Sequence, residues 1–337
     1  PNEPDITTWL WRSPDGVNWQ ASAFPSDGVK LFIPGVVAES GIGLLAHGRM
    51  GPADLGQAGV VSRDGEGWAA TVLPDALGVT ENLVATASGF VTMGLVGDRP
   101  VAWSSDDGAT WAPEGIPAPP GIVRASGLTA STAGVLLGGY LETETDFDAL
   151  IWRRNADGTW IRLGETDRDF VGPERGATVQ RVLPVGGELL ALGSAGAIPD
   201  CSLGGVRVAA AAGRTADHCP GVPPGAWVSS DGRAWREVDL PRPPGIPQAM
   251  DVFLDVVEPG VDGVFTLLNE RPLEATPRYG VWTTADGERW RRVGDGPPFA
   301  DAYAQHAASI PGLIVVIAAT GAGTFEVWIG NPPPGDL

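Results

Sequence analysis

Ser104-Ser105-Asp106-Asp107-Gly108-Ala109-Thr110-Trp111 places a hydroxyl residue, an acid, a glycine and a tryptophan in one short phrase, and the chain repeats that phrase six times. The other copies run from Ser13-Pro14-Asp15-Gly16 to Trp19, from Ser62-Arg63-Asp64-Gly65 to Trp68, and from Asn155-Ala156-Asp157-Gly158 to Trp160. The last two run from Ser229-Ser230-Asp231-Gly232 to Trp235 and from Thr284-Ala285-Asp286-Gly287 to Trp290. Self-similarity at a long period means that one supersecondary unit is stacked on copies of itself. The marker tryptophans are separated by 49, 43, 49, 75 and 55 residues, the size of a four-stranded propeller blade.

Between phrases lies a second recurring pattern of two strands and a Gly-rich turn: Val36 to Ala46, Leu83 to Leu95, Gly127 to Leu137, Val182 to Leu192, Phe253 to Leu268 and Ala307 to Ile317. Each unit therefore reads as an inner hairpin followed by an outer hairpin whose turn is the Asp-Gly phrase. Near-continuous apolar runs such as Leu313-Ile314-Val315-Val316-Ile317 suit inner strands covered on both faces. The expected fold is all-β: a six-bladed β-propeller of four-stranded antiparallel blades over 1–330, with a tail at 331–337. The N-terminal outer hairpin, Thr8 to Phe24, pairs with the C-terminal inner hairpin, Gln305 to Ala319, and so removes two raw sheet edges. Both Trp9-Leu10-Trp11 and Val327-Trp328-Ile329 read as the third strand of that shared blade, which leaves a seven-bladed ring as the alternative.

In a tight hairpin an Asp carboxylate accepts backbone N–H groups of its own turn, and Gly takes the positive-φ position. The phrase thus reads as a turn plus an anchor. Its structural acids are Asp15, Asp64, Asp106, Asp157, Asp231 and Asp286, and its anchors are Trp19, Trp68, Trp111, Trp160, Trp235 and Trp290. One turn acid per blade does not converge on a substrate.

Charge narrows the partners. The chain carries 22 basic and 41 acidic residues, a net charge of −19, so nucleic acid and anionic membrane are repelled. No apolar run reaches the length of a membrane span, and Pro1 to Asp5 do not read as a signal sequence. Cys201 and Cys219 fall together in an irregular insertion, 195–225, inside the longest step, and a disulfide between them implies an oxidising compartment and about 3 kcal/mol of stabilisation. The expected location is secreted or on the extracellular side of the cell envelope, and the expected state is a monomer.

The phrase resembles the Asp-box, or bacterial neuraminidase repeat, most fully at Ser104 to Trp111. That resemblance implies a propeller related to sialidases and other glycosidases, and equally to receptor ectodomains and assembly factors without catalysis. A sialidase of this kind implies three arginines for the substrate carboxylate, a tyrosine nucleophile with a glutamate, an aspartate acid/base, and an Arg-Ile-Pro signature. Here the nearest string is Phe32-Ile33-Pro34, which lacks the arginine and follows the first box. Among Tyr140, Tyr279 and Tyr303, only Arg278-Tyr279 near Glu274 forms a local grouping.

Other chemistry finds little footing. His47, His218 and His306 have no zinc-ligand spacing, Asp146-Phe147-Asp148 reads as a solvated acidic loop rather than a calcium site, and no cofactor motif occurs. Propellers bind where the segments entering the inner strands meet. Those segments hold Glu39, Glu81, Asn82, Arg124, Gln180, Arg181, Asp251, Asp255, Gln305 and His306. Glu81, Asn82, Arg124, Arg181, Asp251 and His306 are the candidate ligand-binding residues, with no catalytic or metal residue assigned. The sequence therefore points to a non-catalytic extracellular module binding a protein or glycan. The alternatives are a glycoside hydrolase or lyase with carboxylates at the channel mouth, or a structural repeat domain of a surface protein.

Overall fold

The computed structural model describes residues 9–12, 18, 20–23, 32–40, 42–50, 57–63, 68–71, 73, 82–97, 99–131, 134–143, 147–164, 176–195, 224–240, 252–260, 263–270, 278–292, 302–310, 313–320 and 325–330. These residues form strands and turns, with no helix among them. β1 (Trp9–Arg12) and β2 (Gln20–Ala23) make a two-stranded sheet. Five four-stranded sheets follow. The first two are β3 (Phe32–Ser40), β4 (Gly43–Met50), β5 (Gln57–Ser62) and β6 (Ala69–Thr71), then β7 (Leu83–Thr86), β8 (Gly89–Val96), β9 (Arg99–Ser105) and β10 (Ala112–Gly115). The third is β11 (Ile122–Ser131), β12 (Gly134–Glu142), β13 (Phe147–Arg154) and β14 (Trp160–Leu163). The fourth is β15 (Ala177–Val185), β16 (Glu188–Ala195), β17 (Pro224–Ser229) and β18 (Arg236–Val238), and the fifth is β19 (Val252–Gly260), β20 (Gly263–Glu270), β21 (Arg278–Thr284) and β22 (Arg291–Arg292). β23 (Ala302–Ile310), β24 (Leu313–Thr320) and β25 (Phe325–Gly330) form a last sheet of three.

Every sheet is ordered as a simple meander, so strand neighbours in sequence are neighbours in space. β24 pairs with β23 on one side and β25 on the other, with Ile317 opposite both His306 and Val327. The place on the C-terminal hairpin expected for the first hairpin is therefore filled by β25, and β1 pairs with β2. The sequence offered two candidates for one position; the nearer in the chain takes it, at lower loop-closure cost.

A meander gives each sheet two unlike ends. At one end the first and second strands are joined by two residues in every sheet from β3 onward: 41–42, 87–88, 132–133, 186–187, 261–262 and 311–312. The Asp-Gly phrases join the third and fourth strands at that same end. At the other end the second-to-third connections are 51–56, 97–98, 143–146, 196–223, 271–277 and 321–324, and the chain also enters each first strand there. One end is uniform and the other variable. The expected insertion belongs to the variable end, and it is shorter than its sequence bounds, because Ser194 pairs with Pro224 and Gly193 with Gly225. Cys201 and Cys219 lie outside the described residues.

Second strands carry the core, as their apolar runs require: Leu136, Leu137, Leu190, Ala191 and Leu192 are fully buried. A second tryptophan series, not singled out from sequence, sits on the third strands two residues before the strand end: Trp103, Trp152, Trp227 and Trp282, all buried.

The chain divides into two compact units, Pro1–Leu137 with Trp152–Arg162, and Gly138–Ile151 with Leu163–Leu337. Within each unit successive sheets touch through the Asp-Gly turn. In the first unit a Cβ on Gly108 would lie 2.9 Å from Val61 Cγ2, on the third strand of the preceding sheet. In the second, Gly287 (φ +78°) faces Val228 Cγ1 at 2.8 Å and Val185 Cγ1 at 3.2 Å in the same way. The turn glycine therefore both adopts a left-handed backbone and leaves room for the sheet before it. Gly97 (φ +63°) shares the backbone demand with open space around it. Gly97→Ala should cost about 1 kcal/mol and Gly287→Ala about 2–4 kcal/mol, the excess reporting the inter-sheet contact in urea unfolding midpoints.

Candidate functional site

The repeated phrase is a self-saturated turn. At Ser229 to Trp235, the Gly232 N–H donates to Ser229 Oγ (2.9 Å), while Asp231 Oδ1 accepts the N–H of Arg233 (2.7 Å) and Ala234 (3.1 Å). At Thr284 to Trp290 the same bonds run from Gly287 to Thr284 Oγ1 (2.8 Å) and from Glu288 (2.9 Å) and Arg289 (2.7 Å) to Asp286. In the copy at 104–111 the hydroxyl is Ser105 and the carboxylate is Asp107, which accepts Ala109 N–H (2.8 Å) and Thr110 N–H (2.6 Å). Asp106, the acid picked from sequence, is exposed and makes none of these turn bonds. The doubled acid shifted the reading by one; aligned on Asp107, this copy has the same spacing as its neighbours. Asp15, Trp19 and Asp64 lie outside the described residues.

These donors set the acidity of the turn. The N–H groups of Thr110 and Ala109 hold the Asp107 carboxyl at about 2, below its usual 3.8. Arg233 and Ala234 N–H likewise hold Asp231 low, and the Thr159 hydroxyl and N–H hold Asp157 low. At Asp286 burial opposes ionisation, yet the N–H groups of Arg289 and Glu288 outweigh it. Each acid is an ionised brace, unsuited to donating a proton at neutral pH.

The fourth copy departs from the rest, and the structure shows how. Gly43, Gly89 and Gly134 open the second strands, and a Cβ on each would meet the carbonyl oxygen of Ser62, Ser105 and Arg154 respectively. Arg154, not Asn155, therefore occupies the hydroxyl position. Arginine has no acceptor, so the Gly158 N–H turns to the Asn155 carbonyl oxygen (3.1 Å). The guanidinium instead grips Glu114 of the preceding sheet through Nε (2.7 Å) and Nη2 (2.5 Å), and Trp160 Nε1 donates to the same carboxylate (2.8 Å). Burial pushes the Glu114 carboxyl upward, but the hydrogen bonds from Arg154, Ser104 and Trp160 leave it below its ordinary value. The Trp152 indole adds a bond to the Pro117 carbonyl (2.8 Å).

The ligand candidates scatter. Asn82 is buried, its Nδ2 donating to Ser126 O (2.9 Å) and its Oδ1 accepting Leu128 N–H (3.3 Å), so it clamps β7 to β11 rather than facing a ligand. Arg124 in β11 and Arg181 in β15 are half-buried, and each already takes part in an interaction within the protein. His306 lies on β23, its side chain undescribed, while Glu81, Asp251 and Glu274 fall outside the described residues. Tyr140 stacks at a tilt on Phe147, ring centroids 4.8 Å apart. No cluster of metal-ligating side chains occurs among the described residues.

Backbone pairing marks a different set. The register slips by one residue at Gly35 in β3, Gln180 in β15, Asp255 in β19 and Gln305 in β23, each five residues before its strand ends. Such bulges re-aim side chains and cluster near functional sites. All four lie in the half of the first strand nearest the variable end. Sequence periodicity has no signal for a single unpaired residue in an apolar strand.

No protein-family model matches the chain, nor does any curated protein sequence. Among solved structures, the β-propeller domain of the trilobed protease from Pyrococcus furiosus is similar with a TM-score of 0.53 at 10% identity, over 95% of this chain and 90% of that one. A Trypanosoma rangeli sialidase, solved with the inhibitor DANA, gives 0.50 at 12% identity over 96% of this chain and 57% of its own. The fold is a β-propeller. A prolyl endopeptidase gives 0.54 at 13% identity over 98% of this chain and 47% of its own, so the propeller spans about half of these last two proteins. At such identities the likeness establishes the propeller and nothing of its chemistry.

Two measurements test the geometry. Asp107 is more acidic folded than its usual 3.8, so the stability it confers is complete above about pH 4 and is lost as pH falls through about 2. Asp107→Asn should lower the urea midpoint at pH 7 and flatten its decline between pH 4 and 2. Glu114→Ala, which strands the half-buried Arg154 guanidinium and the Trp160 indole, should cost about 2–3 kcal/mol by the same assay.

Proposed function

We propose that this propeller is a non-catalytic binding or assembly module of Asp-box type, secreted or on the extracellular side of the cell envelope, recognising a protein or glycan at the variable end of its sheets. The observation that carries this reading is the fate of the recurrent acids: Asp107, Asp157, Asp231 and Asp286 are committed to their own turns and Glu114 to an ion pair. The motif that links the chain to sialidases builds scaffold here. The large variation in connection length falls at the other end, where a rigid frame usually carries its function.

In this reading 1–330 is a single six-bladed domain, the excursion at 196–223 is stapled by Cys201–Cys219, and 331–337 is a tail. The net charge of −19 keeps the propeller monomeric and away from nucleic acid and anionic membrane.

A glycoside hydrolase is the second reading, favoured by Asp255 at a bulge near the variable end. The two separate in one experiment, in which the protein is incubated with neutral and sialylated oligosaccharides and with a cell-surface extract. Capture of a ligand with no shortened or released sugar by chromatography is the expected result. Enzyme-dependent product release would replace the binding module with the hydrolase.

A further inference from the structure

Three bulged first strands belong to one unit, and they lie side by side: β19 adjoins both β15 and β23. Their bulge positions hold Gln180, Asp255 and Gln305, and two residues earlier stand Thr178, Phe253 and Tyr303. The topology thus puts an amide, a carboxylate and an amide at one register of three adjacent strands, with two aromatic residues at a second register beside them. Gln180 is exposed although Val179 beside it and Val182 two residues on are fully buried. The ladder leaves a polar residue unpaired at the same position of three adjacent strands.

We propose that this register is a subsite for a neutral pyranose sugar, which names the ligand class for the binding module above and rests on that reading. Each sugar hydroxyl both donates and accepts; glutamine amides do the same, and a carboxylate adds acceptors that orient vicinal hydroxyls. Aromatic rings suit the apolar C–H face of a pyranose. Asp255, together with the overall net charge of −19, disfavours an acidic sugar such as a sialic acid. A protein hot spot is usually centred on a buried aromatic or arginine anchor rather than on amides.

The test is calorimetric titration of the whole chain with cellohexaose, xylohexaose, mannohexaose and maltohexaose as neutral probes and sialyllactose as the acidic one. At least one neutral hexaose should bind, and Gln180→Ala, Gln305→Ala and Asp255→Ala should each weaken it about tenfold or more without lowering the unfolding midpoint. Should Asp255→Ala fold poorly, the isosteric Asp255→Asn carries the comparison and should show the same loss. Neutral binding untouched by every variant overturns this register and leaves the binding module standing. Preference for sialyllactose overturns the neutral class and leaves an acidic glycan as the module's ligand, whereas no binding of any probe overturns the ligand class and leaves a protein partner. Release of shorter sugars overturns the module itself.

Discussion

The fit of one sheet's Asp-Gly turn against the third strand of the sheet before it is the contact on which the architecture depends. A four-stranded meander cannot bury both faces by itself, so each sheet needs a neighbour at a fixed distance. The turn supplies that spacing. Its glycine lets apolar side chains such as Val61 and Val228 approach to contact, and its hydroxyl and carboxylate satisfy the turn's own backbone N–H groups.

The fourth copy shows the same constraint met by other means. Replacing the hydroxyl with Arg154 removes the acceptor for the glycine N–H, and the turn rewires through Asn155. The arginine's charge is then answered by Glu114 across the join, with Trp160 as a third partner. Residues three beyond the anchor tryptophan recur at this join: Thr71 donates to Gly108 O, Glu114 receives Arg154, and Leu163 packs 3.1 Å from the position a Cβ on Gly232 would take. One place in the repeat accepts a hydroxyl, an acid or an alkyl group, provided its partner changes with it.

Much of this was legible in the residues. The strand pairs, the turns and the repeat emerge because Asp-Gly chemistry and apolar runs are local signals. The doubled Asp106-Asp107 misled by one position, since two adjacent acids look alike until the N–H donors are located. Asn82 read as a ligand residue because polarity at the start of a strand says nothing about which backbone it will clamp. The bulges at Gln180, Asp255 and Gln305 were out of reach, because an unpaired residue is a property of the ladder and not of the sequence period.

If the turns are core rather than surface loops, their amides must behave like core amides. Native-state hydrogen exchange on the Gly108, Gly232 and Gly287 N–H groups measures this directly. The account predicts exchange only through global unfolding, as slow as the second-strand amides of Leu136 and Leu190. Fast exchange at these glycines, while the strands stay protected, would contradict it.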